Sequence, residues 1–265
     1  MNARKGGVDR SRAEAGMADT LFFFHNPKAG GTSVEDALRS LFPDERCCPR
    51  IENDATEHAQ RAGRYAGFRG YDFYAGHYGF DIYQAVGSGM AAATNFRWPI
   101  DRIVSVYRYF HHIVELSDSQ VRDPRFRAVR LAKTLCMDDF VTCDDPAVQL
   151  HTHDHHFRQL TGSGWSMANE QDLSAAIRLI NQMVWFYVCE HPHESLAWAE
   201  EAFCRALPEI PRLNITRPDS ASETGLSARA CRQLILQNER DIVLYQYALE
   251  RLIAQVTHEP SRLVA

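Results

Sequence analysis

No stretch of this 265-residue sequence approaches the roughly 18 consecutive apolar positions a membrane-spanning helix needs. Positive charge is not in excess either. Lys and Arg total 29 against 34 Asp and Glu, a net charge of −5, which argues against nucleic acid or a long polyanion as the natural partner. A cysteine framework is missing as well. The seven cysteines, Cys47, Cys48, Cys136, Cys143, Cys189, Cys204 and Cys231, are odd in number and form no CxxC pair, so reduced thiols in a cytoplasm are expected. The first 18 residues carry Lys5, Arg10 and Arg12 but no apolar core, which excludes a signal peptide. They read as a disordered leader, with Met17 an alternative start. No internal repeat is present. What remains is ordinary globular material: 45% apolar and 24% charged residues exclude wholesale disorder and allow a sizeable core. The expected division is a leader at 1–18, a single domain at 19–256 and a tail at 257–265.

Short apolar runs alternate with helical periodicity. Thr20 to Phe24, Asp72 to His77, Met90 to Phe96 and Val184 to Val188 read as buried strands, with Arg212 to Thr216 a last short one. Helices are expected from Thr32 or Ser33 to Leu41 and from Pro99 to about Glu115. Further helices are expected over Arg125 to Arg158, Leu173 to Met183 and Glu194 to Leu207, and as one broken or two helices over Leu226 to Ile253. Strand–helix alternation implies an α/β fold with a parallel sheet flanked by helices, and the stretch after Arg125 implies a helical elaboration.

Between the first strand and first helix lies Pro27-Lys28-Ala29-Gly30-Gly31-Thr32-Ser33. Gly30 and Gly31 let backbone N–H groups close on an anion, the helix N-terminus adds its dipole, Lys28 adds a full charge, and Thr32 and Ser33 add hydroxyl donors. The lysine precedes the glycines, the reverse of a Walker A loop. A second cluster, Asn95-Phe96-Arg97-Trp98-Pro99-Ile100-Asp101-Arg102-Ile103-Val104-Ser105-Val106-Tyr107, closes a strand with Arg97 and sets Ser105 two turns into the next helix, so a phosphate between them would receive charge-assisted hydrogen bonds. A third, Gly76-His77-Tyr78-Gly79-Phe80, offers an imidazole able to take a proton near neutral pH.

These three segments together resemble the sulfotransferases that use 3′-phosphoadenosine 5′-phosphosulfate (PAPS), in particular the carbohydrate type (sulfotransferase family 2, heparan sulfate 2-O-sulfotransferase-like). The first resembles the family's phosphosulfate loop. The second resembles its Arg-Asp-Pro-x-x-Arg-x-x-Ser-x-Tyr segment, whose arginine and serine hold the 3′-phosphate. The third resembles its Gly-His-x-x-Phe segment, whose histidine is the base. The stretches from His155 to Gly162 and from Asn238 to Ala248 resemble later family segments in which Asp241 and Tyr245 serve packing, so the likeness runs from about residue 20 to 253. It implies a P-loop-NTPase-like sheet, PAPS as sulfuryl donor and no metal. It also implies catalytic Lys28 and His77, and donor binding by Lys28, Gly30, Gly31, Thr32, Ser33, Arg97 and Ser105. Ala29 stands where the family often has Thr, Trp98 where it has Asp, and His155 and Phe157 where it has Asn and Thr.

The acceptor is expected to be a glycan or small-molecule hydroxyl, selected by residues 43–70 and 117–165. Nucleic acid and membrane spans are not expected, and the location is expected to be cytoplasmic. A P-loop-like nucleotide kinase or NTPase is the enzymatic alternative, though it wants an Asp where Arg97 closes the strand. An inactive nucleotide- or metal-binding protein is the other. His151-Thr152-His153-Asp154-His155-His156 reads as a solvated loop or helix face, with a metal shared by His151 and His155 on one helix as its rival.

Overall fold

Four of the apolar runs become the strands of one sheet. A computed structural model describes residues 19–49, 69–87, 89–208, 210 and 225–257. Strands β1 (Leu21–Phe24), β2 (Phe73–Gly76), β3 (Ala91–Phe96) and β4 (Trp185–Val188) are all parallel and lie in the order β2-β1-β3-β4. Every residue of β1 and of β4 is buried, as expected of strands covered on both faces. Phe22 packs on Phe24 at 4.7 Å between ring centroids and edge-on to Tyr83 at 5.2 Å. Each buried Phe is worth about 1.5–3 kcal/mol, so this face is a main anchor of the sheet.

Crossovers follow from the parallel pairing. Helix α1 (Gly31–Arg39) follows β1, α2 (Phe80–Gly87) follows β2, and α3 (Pro99–Arg108) follows β3. Between β3 and β4 the chain inserts α4 (Asp118–Arg122), α5 (Arg127–Thr134), α6 (Met137–Val141), α7 (Pro146–Thr152), α8 (His155–Thr161) and α9 (Leu173–Gln182). After β4 come α10 (Pro192–Phe203), α11 (Ala228–Gln237) and α12 (Glu239–Thr257). The inserted helices have a core of their own, in which Ile100, Ile103 and Tyr107 of α3 meet Phe140, Val141, Val148 and Leu234. This is the helical elaboration. The expected strand at Arg212 to Thr216, the leader at 1–18, residues 258–265 and most of 43–70 lie outside the described residues.

Three expectations need correction. Helix α1 starts at Gly31, with Gly30 in the left-handed region (φ 75°) as its N-cap, so neither Thr32 nor Ser33 caps it. Helix α3 stops at Arg108 and continues as a π-helical turn over Tyr109–Ile113, ending before Glu115. The histidine run is neither a solvated face nor one helix. α7 ends at Thr152 and α8 begins at His155, separated by Asp154 at φ 40°, and His155 and His156 are buried.

Two carboxylates lock that break. Asp154 accepts from the backbone N–H groups of Arg240 and Asp241 at the start of α12, both at 3.1 Å. Asp241 accepts from those of His156 (3.2 Å) and Phe157 (2.7 Å) at the start of α8. Each acid thus satisfies the free N–H groups of the other's helix. Both are raised above the usual carboxylate range, Asp154 to about 6, first by burial; for Asp154 the neighbouring Asp241 adds to the rise. Asp241 therefore has a packing role, facing the buried guanidinium of Arg102 and that of Arg158.

Candidate functional site at the sheet's switch point

The chain leaves β1 for β2 on one side and then returns to β3 on the other. The loops after β1 and β3 therefore diverge at the carboxyl edge of the sheet, the place where open α/β folds bind ligands. The loop after β1 is shaped from beneath by Asn95 of β3. The Asn95 side chain donates to the carbonyls of Asn26 (2.9 Å) and Ala29 (2.8 Å) and accepts from the Asn26 N–H (2.8 Å). Held this way, Lys28 takes a left-handed backbone (φ 66°), as does Gly30. The first turn of α1 has no side-chain cap, so its leading N–H groups can meet an anion. Thr32 is exposed and Ser33 buried within that turn.

Arg97, at the end of β3, donates from Nη1 to the Lys28 carbonyl at 3.2 Å. The Lys28 ammonium rests 3.9 Å over the ring of Tyr109, which the π-helical turn presents to it. Burial, and then the charge of Arg97, pull the Lys28 pKa below its ordinary value. No carboxylate forms an ion pair with Lys28 or Arg97 among the described residues. Ser105 lies buried on α3, and no hydrogen bond joins it to Arg97 among the described residues. Trp98 leaves the turn intact. Its backbone N–H donates to Glu190 Oε1 at 2.9 Å, its ring meets Tyr245 at 5.4 Å, and Pro99 opens α3.

His77 follows β2 at the same edge. Its ring stands edge-on to that of His25 at 4.7 Å between centroids, with Trp165 at 6.2 Å on another side. Trp165 Nε1 donates to the His77 carbonyl at 3.1 Å, and Gln159 Nε2 ties the carbonyls of His25 (3.1 Å) and Tyr78 (2.9 Å) together. Burial first, then His25, His151 and Lys28, draw the His77 pKa from 6.5 down to about 3, against an opposing pull from Glu35. The ring is therefore neutral at physiological pH, with a lone pair free to accept a proton.

Sequence reasoning missed His25 and Glu35. His25 Nδ1 donates to Glu35 Oε2 at 2.9 Å, both side chains are buried, and Arg39 Nη2 approaches Glu35 Oε1 at 3.5 Å. Gly31 makes room for this pair, since a β-carbon there would stand 2.2 Å from His25 Cδ2. Asn95, Gln159 and Trp165 were also missed as shapers of the site. The only local signal was a buried-strand Asn beside Arg97. Two histidines of the later run are individually engaged: His155 Nδ1 lies 3.0 Å from the Leu150 carbonyl and His156 Nε2 3.0 Å from Thr94 Oγ1. Among the described residues, no three His, Cys, Asp or Glu side chains are grouped to hold a metal ion. None of the described helices is long and apolar enough to cross a membrane.

Fold and site together define an open parallel α/β chain whose switch point offers two cations, an uncapped helix N-terminus and a neutral imidazole. No protein-family model matches the chain, and no curated protein matches it.

Proposed function

We propose that this chain is a sulfotransferase of P-loop-like architecture that moves the sulfuryl group of PAPS to a hydroxyl of a glycan or small metabolite. The observation that carries the reading is the meeting of Lys28 and Arg97 at the switch point, unpaired with acid among the described residues and set against the uncapped first turn of α1. Two strong cations and a helix dipole suit a ligand with more than one anionic group. Lys28, the loop amides from Gly30 and Gly31, and the hydroxyls of Thr32 and Ser33 take the phosphosulfate end. Arg97, just beyond β3, takes the 3′-phosphate together with Ser105 of α3.

In the reaction the acceptor oxygen bonds to sulfur as the bond from sulfur to the 5′-phosphate oxygen breaks. The electron pair stays on that phosphate, and the hydroxyl proton passes to His77. Lys28 and the loop amides stabilise the charge that grows on the departing phosphate. Lys28 is free to do so by leaving the face of Tyr109. A metal-dependent kinase would want an acidic ligand where β3 ends. Here that place holds Asn95, whose amide is committed to the loop, and Arg97. The seven free thiols suit a reducing, cytoplasmic setting.

The test is a thermal-shift titration with 3′-phosphoadenosine 5′-phosphate against ATP, followed by transfer from labelled PAPS to a panel of hydroxyl acceptors. The 3′-phosphorylated nucleotide should stabilise the protein and ATP should not. Lys28→Ala should lower turnover by about 10²–10³-fold. Arg97→Ala should weaken nucleotide binding about 10-fold or more, the loss of a charge-assisted hydrogen bond. Equal stabilisation by ATP points to a kinase or NTPase. Binding without transfer to any acceptor points to an inactive binder.

A further inference from the structure

The geometry points to Glu35 and His25 as a buried positioning pair for His77, in which the His25 ring orients the imidazole that receives the acceptor's proton and the Glu35 carboxylate behind it offsets part of the positive charge formed there. The inference rests on the sulfuryl-transfer reading of the site. Three observations carry it. The Nδ1–Oε2 contact of 2.9 Å places the Nδ1 hydrogen of His25 on Glu35 and fixes the orientation of that ring. The His25 ring stands nearly perpendicular to that of His77, at 82° with 4.7 Å between centroids, so the two imidazoles touch edge to face. The whole arrangement depends on a residue without a side chain at position 31, because any β-carbon there would occupy the place of the His25 ring.

His77 is a ring in an environment hostile to charge. His25, His151 and Lys28 all oppose its protonation, and Trp165 walls another side. Glu35, behind His25, favours the protonated form. Arg39, at 3.5 Å, tempers that carboxylate without displacing His25 from it. As O–S bond formation releases the hydroxyl proton to His77, a fixed negative charge one imidazole away stabilises the resulting imidazolium, while the His25 ring holds its orientation.

Glu35→Gln keeps the size and the acceptor oxygen and removes the charge. With PAPS and a hydroxyl acceptor, kcat should fall about 10-fold or more, within the range that general-base effects span. KM and the affinity for 3′-phosphoadenosine 5′-phosphate should change less than about twofold, since both side chains of the pair are buried and neither is assigned to donor binding. Glu35→Asp, which keeps the charge at a longer reach, should recover part of the loss, and it replaces the Gln variant should that chain not fold. A parallel readout is the ¹⁵N spectrum of histidine-labelled protein at neutral pH, in which Glu35→Gln should shift the His77 ring nitrogens. An active wild type with unchanged kcat in the Gln variant overturns the pair. A wild type that neither binds the nucleotide nor transfers overturns the sulfuryl reading instead. The pair is then judged on the spectrum alone, and an unmoved His77 ring refutes it.

Discussion

Replacing Gly31 by Ala is a sharp test of how the site is packed. The new methyl would lie 2.2 Å from His25 Cδ2 and 2.3 Å from Nε2, well inside contact distance. Gly31 does not occupy the left-handed region, unlike Gly30, so the perturbation is steric and carries no backbone strain. His25 must move, and the move breaks its bond to Glu35. Overpacking typically costs about 1–3 kcal/mol. Stranding a buried hydrogen-bonding group costs about 1–3 kcal/mol more, at the lower end here because Arg39 still reaches Glu35. A helix gains at most about 1 kcal/mol from Gly→Ala, so the net loss should be about 1–4 kcal/mol. Urea unfolding followed by circular dichroism measures it. The control is the same substitution in a His25→Ala background, where the clash has no partner. There Gly31→Ala should cost less than about 0.5 kcal/mol, a coupling that places the whole effect on the His25 ring. A single variant as stable as wild type, or a cost that survives the loss of His25, would refute the packing described.

Two further outcomes follow from burial. Asp241→Ala removes the carboxylate that meets two backbone N–H groups of α8 and faces Arg102 and Arg158, so unfolding free energy should drop by about 3–5 kcal/mol; a drop under about 1 kcal/mol in urea melts would contradict that role. The His77 pKa, lowered to about 3, means that the ring stays neutral as pH falls from 8 to 5. In the proposed transfer, turnover on the acidic side should therefore remain flat across that range, whereas a decline with a midpoint near the unperturbed value of about 6.5 would show that the surroundings of His77 do not hold its ring neutral.

The strands were readable because parallel, doubly covered strands appear as short apolar runs, and Leu21–Phe24 and Trp185–Val188 are such runs. Helix α2 was not, since Phe80–Gly87 is short and its apolar residues follow no clean stripe. The start of α1 was misplaced because hydroxyl residues are the commoner N-caps, and Gly30 took that place through its left-handed backbone instead. Lys28, Arg97 and His77 could be singled out because each sits at the end of a strand within a local motif. The pairing of His25 with Glu35 and the anchoring of the loop by Asn95 could not, since they depend on how separate segments meet in space. The histidine run misled for the same reason. Its fate is set by Asp241 and Thr94, far away in sequence.

The exchange of carboxylates between Asp154 and Asp241 has a consequence for biosynthesis. The partners are 87 residues apart, an interval that a ribosome covers in roughly 4–17 s at about 5–20 residues per second. During translation, the segment carrying His155 and His156 emerges well before the acid that terminates it, and both histidine rings belong to the interior of the finished molecule. The nascent chain must therefore hold an incomplete interior until α12 is released. The proposed nucleotide affinity should arise late and all at once in a series of progressively longer ribosome-bound chains, rather than appear when the loop bearing Lys28 first leaves the exit tunnel.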